Sequence, residues 1–148
     1  MVNASAMSDD ELLERLQGYV REERERLHEF LSCLLEVDRR RFLERRGYSS
    51  TFDYCVRCLG LSEGETFRRI QAARATDIRP QLLAAVAEGR LTLSAISRIA
   101  PYVRRADAPE IIARAEGKST RQIEEILAPL NPEPPRRALI REVVVATP

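Results

Sequence analysis

Tryptophan is absent from the 148 residues, aromatic residues of all kinds make up 5%, and histidine and lysine occur once each, as His28 and Lys118. Each scarcity excludes something. A single histidine with no serine, cysteine or second histidine set beside it by a motif cannot anchor a hydrolase or a metal-dependent nuclease. Its setting among leucines and glutamates places it on the surface or boundary of a long N-terminal helix. No glycine-rich phosphate loop occurs, and the carboxylates are scattered among arginines rather than isolated in pairs, so acid–base catalysis has no evident site. The expectation is a chain with no catalytic residues, no cofactor and no enzyme activity of its own.

The three cysteines, Cys33, Cys55 and Cys58, are too few for a disulfide scaffold. A zinc site takes four ligands, usually two pairs, and here Cys55 and Cys58 form one pair at helical spacing. Core packing as small hydrophobes is the expected role of that pair, with no metal bound. No run approaches the roughly 20 apolar residues of a membrane span, and no secretory leader is visible. These features point to a cytoplasmic protein with reduced thiols and no membrane partner.

What is present is helix-forming stock: alanine, leucine, glutamate and arginine dominate, hydrophobic residues reach 44% and charged residues 32%. That balance, in a chain of this length, predicts one all-α domain with its own core. The formal net charge is only +1, so any affinity for nucleic acid must come from a local basic patch. Apart from Lys118 the basic residues are all arginine, which a GC-rich genome would produce and which also suits bidentate contacts to phosphate or guanine.

Apolar periodicity and capping signals predict helices at 9–33, 36–46, 50–59, 63–75, 80–88, 93–100, 108–116 and 120–129. Ser8 with Glu11, Ser62 with Glu65 and Ser119 with Gln122 have capping-box spacing, and Gly47, Gly60, Gly89 and Gly117 stand at helix ends. The first two segments form an N-terminal arm, 9–46, either one helix or two parted near Glu36–Asp38. Residues 50–130 form the core of a domain that covers 1–130. Basic residues at 21–26 alternate with Glu22, Glu23 and Glu25 and read as a solvated helix face, unlike the run at 39–41. Beyond Leu130 the sequence Asn131-Pro132-Glu133-Pro134-Pro135 reads as a stiff linker. The strand-like tail that completes 131–148 is expected to lead into a further domain or to end a shortened gene.

The segment 50–75 carries the clearest functional pattern. A short helix ends at Gly60, and a capped second helix follows at once, the order of a helix-turn-helix. Periodicity assigns Thr66, Phe67, Ile70 and Ala73 to the core, and Glu65, Arg68, Arg69 and Ala72 to the opposite side, with Gln71 and Arg74 at its flanks. Arginine can read guanine and glutamine can read adenine, so Ser62, Glu65, Arg68, Arg69, Gln71 and Arg74 are the expected contacts to duplex DNA. Phe67 stands seven residues after Gly60, one more than the commonest pattern allows. The same residues also fit a plain helical hairpin with an arginine-bearing solvent face. A different class of reading makes the chain a protein–protein module that forms a homodimer through its N-terminal helix.

Leu35-Glu-Val-Asp-Arg-Arg-Arg, Gly47-Tyr-Ser-Ser, Phe52-Asp-Tyr-Cys-Val-Arg, Leu61-Ser-Glu-Gly-Glu and Arg68-Arg-Ile-Gln-Ala-Ala-Arg resemble the N-terminal helical region of bacterial HNH endonuclease proteins. Gly89-Arg-Leu-Thr-Leu-Ser-Ala-Ile-Ser and Gly117-Lys-Ser-Thr-Arg-Gln-Ile-Glu-Glu-Ile-Leu continue the resemblance, which spans roughly 10–135. More distantly, 59–75 with 82–99 and 111–127 is similar to the helix-turn-helix core of ParB/KorB-type DNA-binding proteins. The first resemblance implies a targeting or DNA-binding region. The histidines of the nuclease motif have no counterpart after His28, so it implies no nuclease activity. The second implies that 62–74 is the recognition helix.

Overall fold

The computed structural model describes residues 1–130, and the linker and strand-like tail expected at 131–148 lie outside the described residues. Seven α-helices account for the fold, and no strand occurs among the described residues. They are α1 (Asp9–Arg40), α2 (Thr51–Arg57), α3 (Glu63–Ile78), α4 (Gln81–Ala87), α5 (Leu93–Ile99), α6 (Ala108–Ala115) and α7 (Thr120–Leu127). The all-α expectation holds, and most helix starts have local causes. Ser8 and Ser119 close full capping boxes with Glu11 and Gln122, while the side chains of Ser50, Ser62 and Thr92 accept the backbone N–H three residues on. Each of these caps satisfies an otherwise orphaned donor in the first turn.

One boundary differs from expectation. Instead of parting near Glu36–Asp38, α1 runs unbroken to Arg40, and the helix expected at 36–46 does not form. Nothing between Leu34 and Asp38 breaks a helix, and Glu36 pairs with Arg40 at 3.2 Å and with Arg39 at 3.6 Å across the last turn. Such pairs support a helix end that carries basic residues. The chain turns at Arg41, which takes left-handed angles (φ 51°, ψ 41°) that sequence reasoning assigns to glycine. A short 3₁₀ turn, Glu44–Arg46, then closes on Gly47 at φ 90°.

The bundle is organised around α3. It packs against α1, α2, α4 and α5, while α5 passes the core on to α6 and α7. Along α3, Thr66, Ile70, Ala72, Ala73, Ala75 and Thr76 are all buried, which spreads burial around most of the helix instead of along one stripe. Three alanines in the middle of α3 let neighbouring helices approach closely. Leu31 and Leu34 come in from α1, Leu82 and Val86 from α4, Ile96 and Ile99 from α5, Ile111 and Ile112 from α6, and Ile123 from α7.

The first half of α1 takes little part in this. The only buried residues of α1, Leu31 and Leu34, lie in its second half, and the Arg24 guanidinium lies against Gly89 in the α4–α5 turn. N-terminal to that point no residue of the helix is buried. No helix among the described residues is long and apolar enough to cross a membrane.

Candidate nucleic-acid interface

α2 and α3 form a helical hairpin closed by a bond from the Leu61 N–H to the Cys55 carbonyl at 3.1 Å, with Gly60 at φ 72° in the turn. The expected DNA-facing side of α3 is largely committed to holding the bundle together. Arg69 is the clearest case. Its side chain is 22% exposed, and its Nη2 donates to Glu65 Oε1 at 3.2 Å. Its guanidinium sits 4.7 Å over the Phe30 ring of α1, and its Nε is buried with no hydrogen-bond partner among the described residues. Arg69 therefore faces α1 and not a groove, and it takes Glu65 with it.

The other expected contacts divide as follows. Ser62 caps α3 through the Glu65 N–H at 3.1 Å. Gln71 accepts from the Ser97 hydroxyl of α5 at 2.9 Å. Arg74 donates twice to Asp38 of α1, at 3.0 and 3.1 Å. Arg68 alone among the six makes no ion pair or hydrogen bond with another described residue, and its guanidinium folds back beside Gly64. Two further assignments are corrected. Phe67, expected in the core, is 55% exposed, and Ala72, expected outside, is fully buried. Large residues dominate a periodicity reading, whereas on α3 the small ones carry the burial.

Asp38 is the polar hub of this region. It accepts from Thr51 of α2 at 2.9 Å as well as from Arg74, so one carboxylate joins α1, α2 and α3. The Arg74 guanidinium, and then the Thr51 hydroxyl, hold its carboxyl below the ordinary aspartate value against the opposing effect of burial. Cys55 is fully buried, and burial pushes its thiol above the ordinary value. Cys58 is exposed instead of packed, as is Cys33. Among the described residues no group of three or more His, Cys, Asp and Glu side chains is placed to hold a metal ion.

A different basic surface emerges where the long helix ends. Arg41, Arg45 and Arg46 are exposed and form no salt bridge with a described residue. Arg46 lies 5.0 Å over Phe42 and Arg57 lies 5.2 Å over Tyr48, whose ring meets Tyr54 edge to face at 5.0 Å. Arg57 also pairs with Asp53 at 2.8 Å, and Asp53 accepts the Ser49 N–H at 2.9 Å. Arg41 and Arg74 line a shared groove of about 450 Å³ together with Asp38, Glu44 and Ser49–Thr51. Between residues 39 and 57 stand six arginines against Glu44 and Asp53, of which Arg39 and Arg40 pair with Glu36 and Asp77 outside the segment, within a chain of net charge +1. The run at 39–41 was visible in the sequence. Its conversion into a folded, aromatic-backed turn depended on Arg41 breaking the helix. Comparison with family models, curated proteins and solved structures finds no match for this chain.

Two expectations follow. Arg69→Ala should lower stability by about 1 kcal/mol or more through loss of the stacked, packed guanidinium, whereas Arg68→Ala should stay within about 0.5 kcal/mol. Thermal unfolding of the two variants separates a packing arginine from a solvent one.

Asp38→Asn should cost about 1.5–3 kcal/mol at neutral pH, the usual range for hydrogen bonds to a charged group. Because the folded carboxyl titrates below its ordinary value, its contribution is fully present above that value and disappears as pH falls through the folded one. Melting curves of the wild-type and Asp38→Asn proteins should therefore differ at neutral pH and converge in acid.

Proposed function

We propose that this chain is a DNA-binding helical module that grips duplex by its phosphates through the arginine-rich turn 41–57, and that α3 reads no bases. The observation that carries this reading is the trio Arg41, Arg45 and Arg46, exposed on one short segment with no carboxylate partner among the described residues. Most other arginines of the bundle are spent internally: Arg74 on Asp38, Arg79 on the Val103 and Arg105 carbonyls, Arg90 on Glu88 and Glu116, and Arg98 on Glu124. Arginines without such partners are the ones that can replace counterions along a phosphate backbone. Stacking on Phe42 limits the freedom of Arg46 and so lowers the ordering cost of a contact.

The resemblance to the N-terminal region of HNH endonuclease proteins supports the same context, a cytoplasmic targeting region that brings a separate activity to DNA. No catalytic step is assigned to this chain. A grip made mainly by phosphates distinguishes poorly between base sequences, because the phosphate backbone is the same throughout.

Three phosphate contacts give a slope of about −2.7 in log affinity against log salt, so raising salt fourfold should weaken binding by about 40-fold. Anisotropy with a labelled mixed-sequence duplex measures this. Arg41→Gln, Arg45→Gln and Arg46→Gln together should weaken low-salt binding at least about tenfold and flatten the slope, with the melting temperature unchanged. No duplex binding by the wild-type chain at low salt, or equal binding by the triple variant, would refute the proposal.

A further inference from the structure

The N-terminal half of α1 carries an apolar face that is left exposed among the described residues. Leu13, Leu16, Val20, Leu27, Phe30 and Leu34 follow one another at alternating steps of three, four, seven, three and four residues, a heptad line interrupted only at Glu23. In the second half of the helix that line is covered: Leu34 is buried, and Leu27 and Phe30 pack on the core cluster. In the first half it is bare, with Leu13 57% and Leu16 60% exposed, and Tyr19 and Val20 exposed beside them. A stretch of this length is marginal as an isolated helix in water, and a contiguous exposed apolar face marks an interaction surface. Beside the face runs a furrow of about 420 Å³ along Leu16, Val20 and Arg24. It shares Val20 and Arg24 with a second hollow, which reaches Val86 and Leu93 on the body.

We propose that this face is the contact of a homodimer, in which the arms of two copies of the chain lie antiparallel and centred on Leu16. The apolar residues are symmetric about that position. Leu12 and Leu13 of one copy meet Val20 and Tyr19 of the other, and Leu16 meets Leu16 on the two-fold axis, the self-complementary arrangement of an isologous interface.

Charge selects the direction. The first turn carries Asp9, Asp10 and Glu11. A parallel pair sets these six carboxylates side by side, whereas the antiparallel pair sets each trio opposite Arg21, Glu22 and Glu23, so that one arginine at each end interrupts an otherwise all-acidic meeting. Opposed helix dipoles add to the same preference. Two arms of about 20 Å bury on the order of 1,000 Å² between them, the lower edge of specific interfaces. The dimer is accordingly concentration-dependent. It stands independently of the arginine-rich turn and would persist if that turn bound no DNA.

Sedimentation equilibrium of the full chain tests it from about 1 to about 200 µM, the span over which an interface of this size should associate. The expected result is a rise from 16.9 kDa toward twice that mass, abolished by Leu16→Glu with the melting of the body unchanged. Direction is read by oxidative crosslinking in a Cys33→Ser, Cys58→Ser background. Leu16→Cys should form a symmetric disulfide. Leu13→Cys should not do so alone but should when mixed with Tyr19→Cys. A 16.9 kDa particle at every concentration, a Leu16→Glu variant that still dimerises, or a Leu13→Cys disulfide as ready as that of Leu16→Cys would overturn the proposal.

Discussion

Ala72, Ala73 and Ala75 leave little side-chain bulk on the sides of α3 that they occupy, and α1, α2 and α5 close onto the helix. Close packing of this kind removes apolar surface on several sides at once, and it leaves little of the helix available for anything else. The polar residues on α3 are drawn into the same arrangement. Arg69 stacks on Phe30, Arg74 is held by Asp38 and Gln71 meets Ser97, so these side chains are tied to α1 and α5. A recognition helix needs one face free for a groove, and the face that α3 leaves exposed carries Glu63, Gly64, Phe67 and the Asp38-held Arg74 in place of free arginines.

The arginines consequently play different parts. Arg74, Arg79, Arg90 and Arg98 bridge elements distant in sequence, and removing one would leave a carboxylate or carbonyl without its partner. Those at the end of α1 project from a turn that α1 itself creates, because Arg41 adopts the left-handed conformation and reverses the chain. Folding thus produces a local basic surface on a molecule of nearly neutral charge, and such a surface acts at short range within a Debye length of about 8–10 Å.

How much of this was legible in the sequence depends on how local each cause is. The caps at Ser8, Ser50, Ser62, Thr92 and Ser119 are decided within three residues, and the helices start where those residues indicate. Gly47, Gly60, Gly89 and Gly117 end or connect helices with positive φ, again a local matter. The end of α1 was not legible, because its turn residue is an arginine whose strain the surrounding fold must hold. Nor was the role of Arg69, since its partner Phe30 is far away in sequence. Phe67 was misplaced for a related reason: a large ring suggests a core position, but alanines already fill the faces of α3 that meet its neighbours. The bare apolar line on the first half of α1 was visible as periodicity. Its exposure became apparent only once the body was seen to cover the second half alone.

The central claim is that the basic turn after α1, and not α3, meets nucleic acid. Amide chemical-shift mapping of the isotopically labelled chain during titration with a mixed-sequence duplex tests it residue by residue. The account predicts the largest shifts across residues 41–57 and almost none across 69–76. Shifts concentrated along 62–74, with the turn after α1 unaffected, would contradict it.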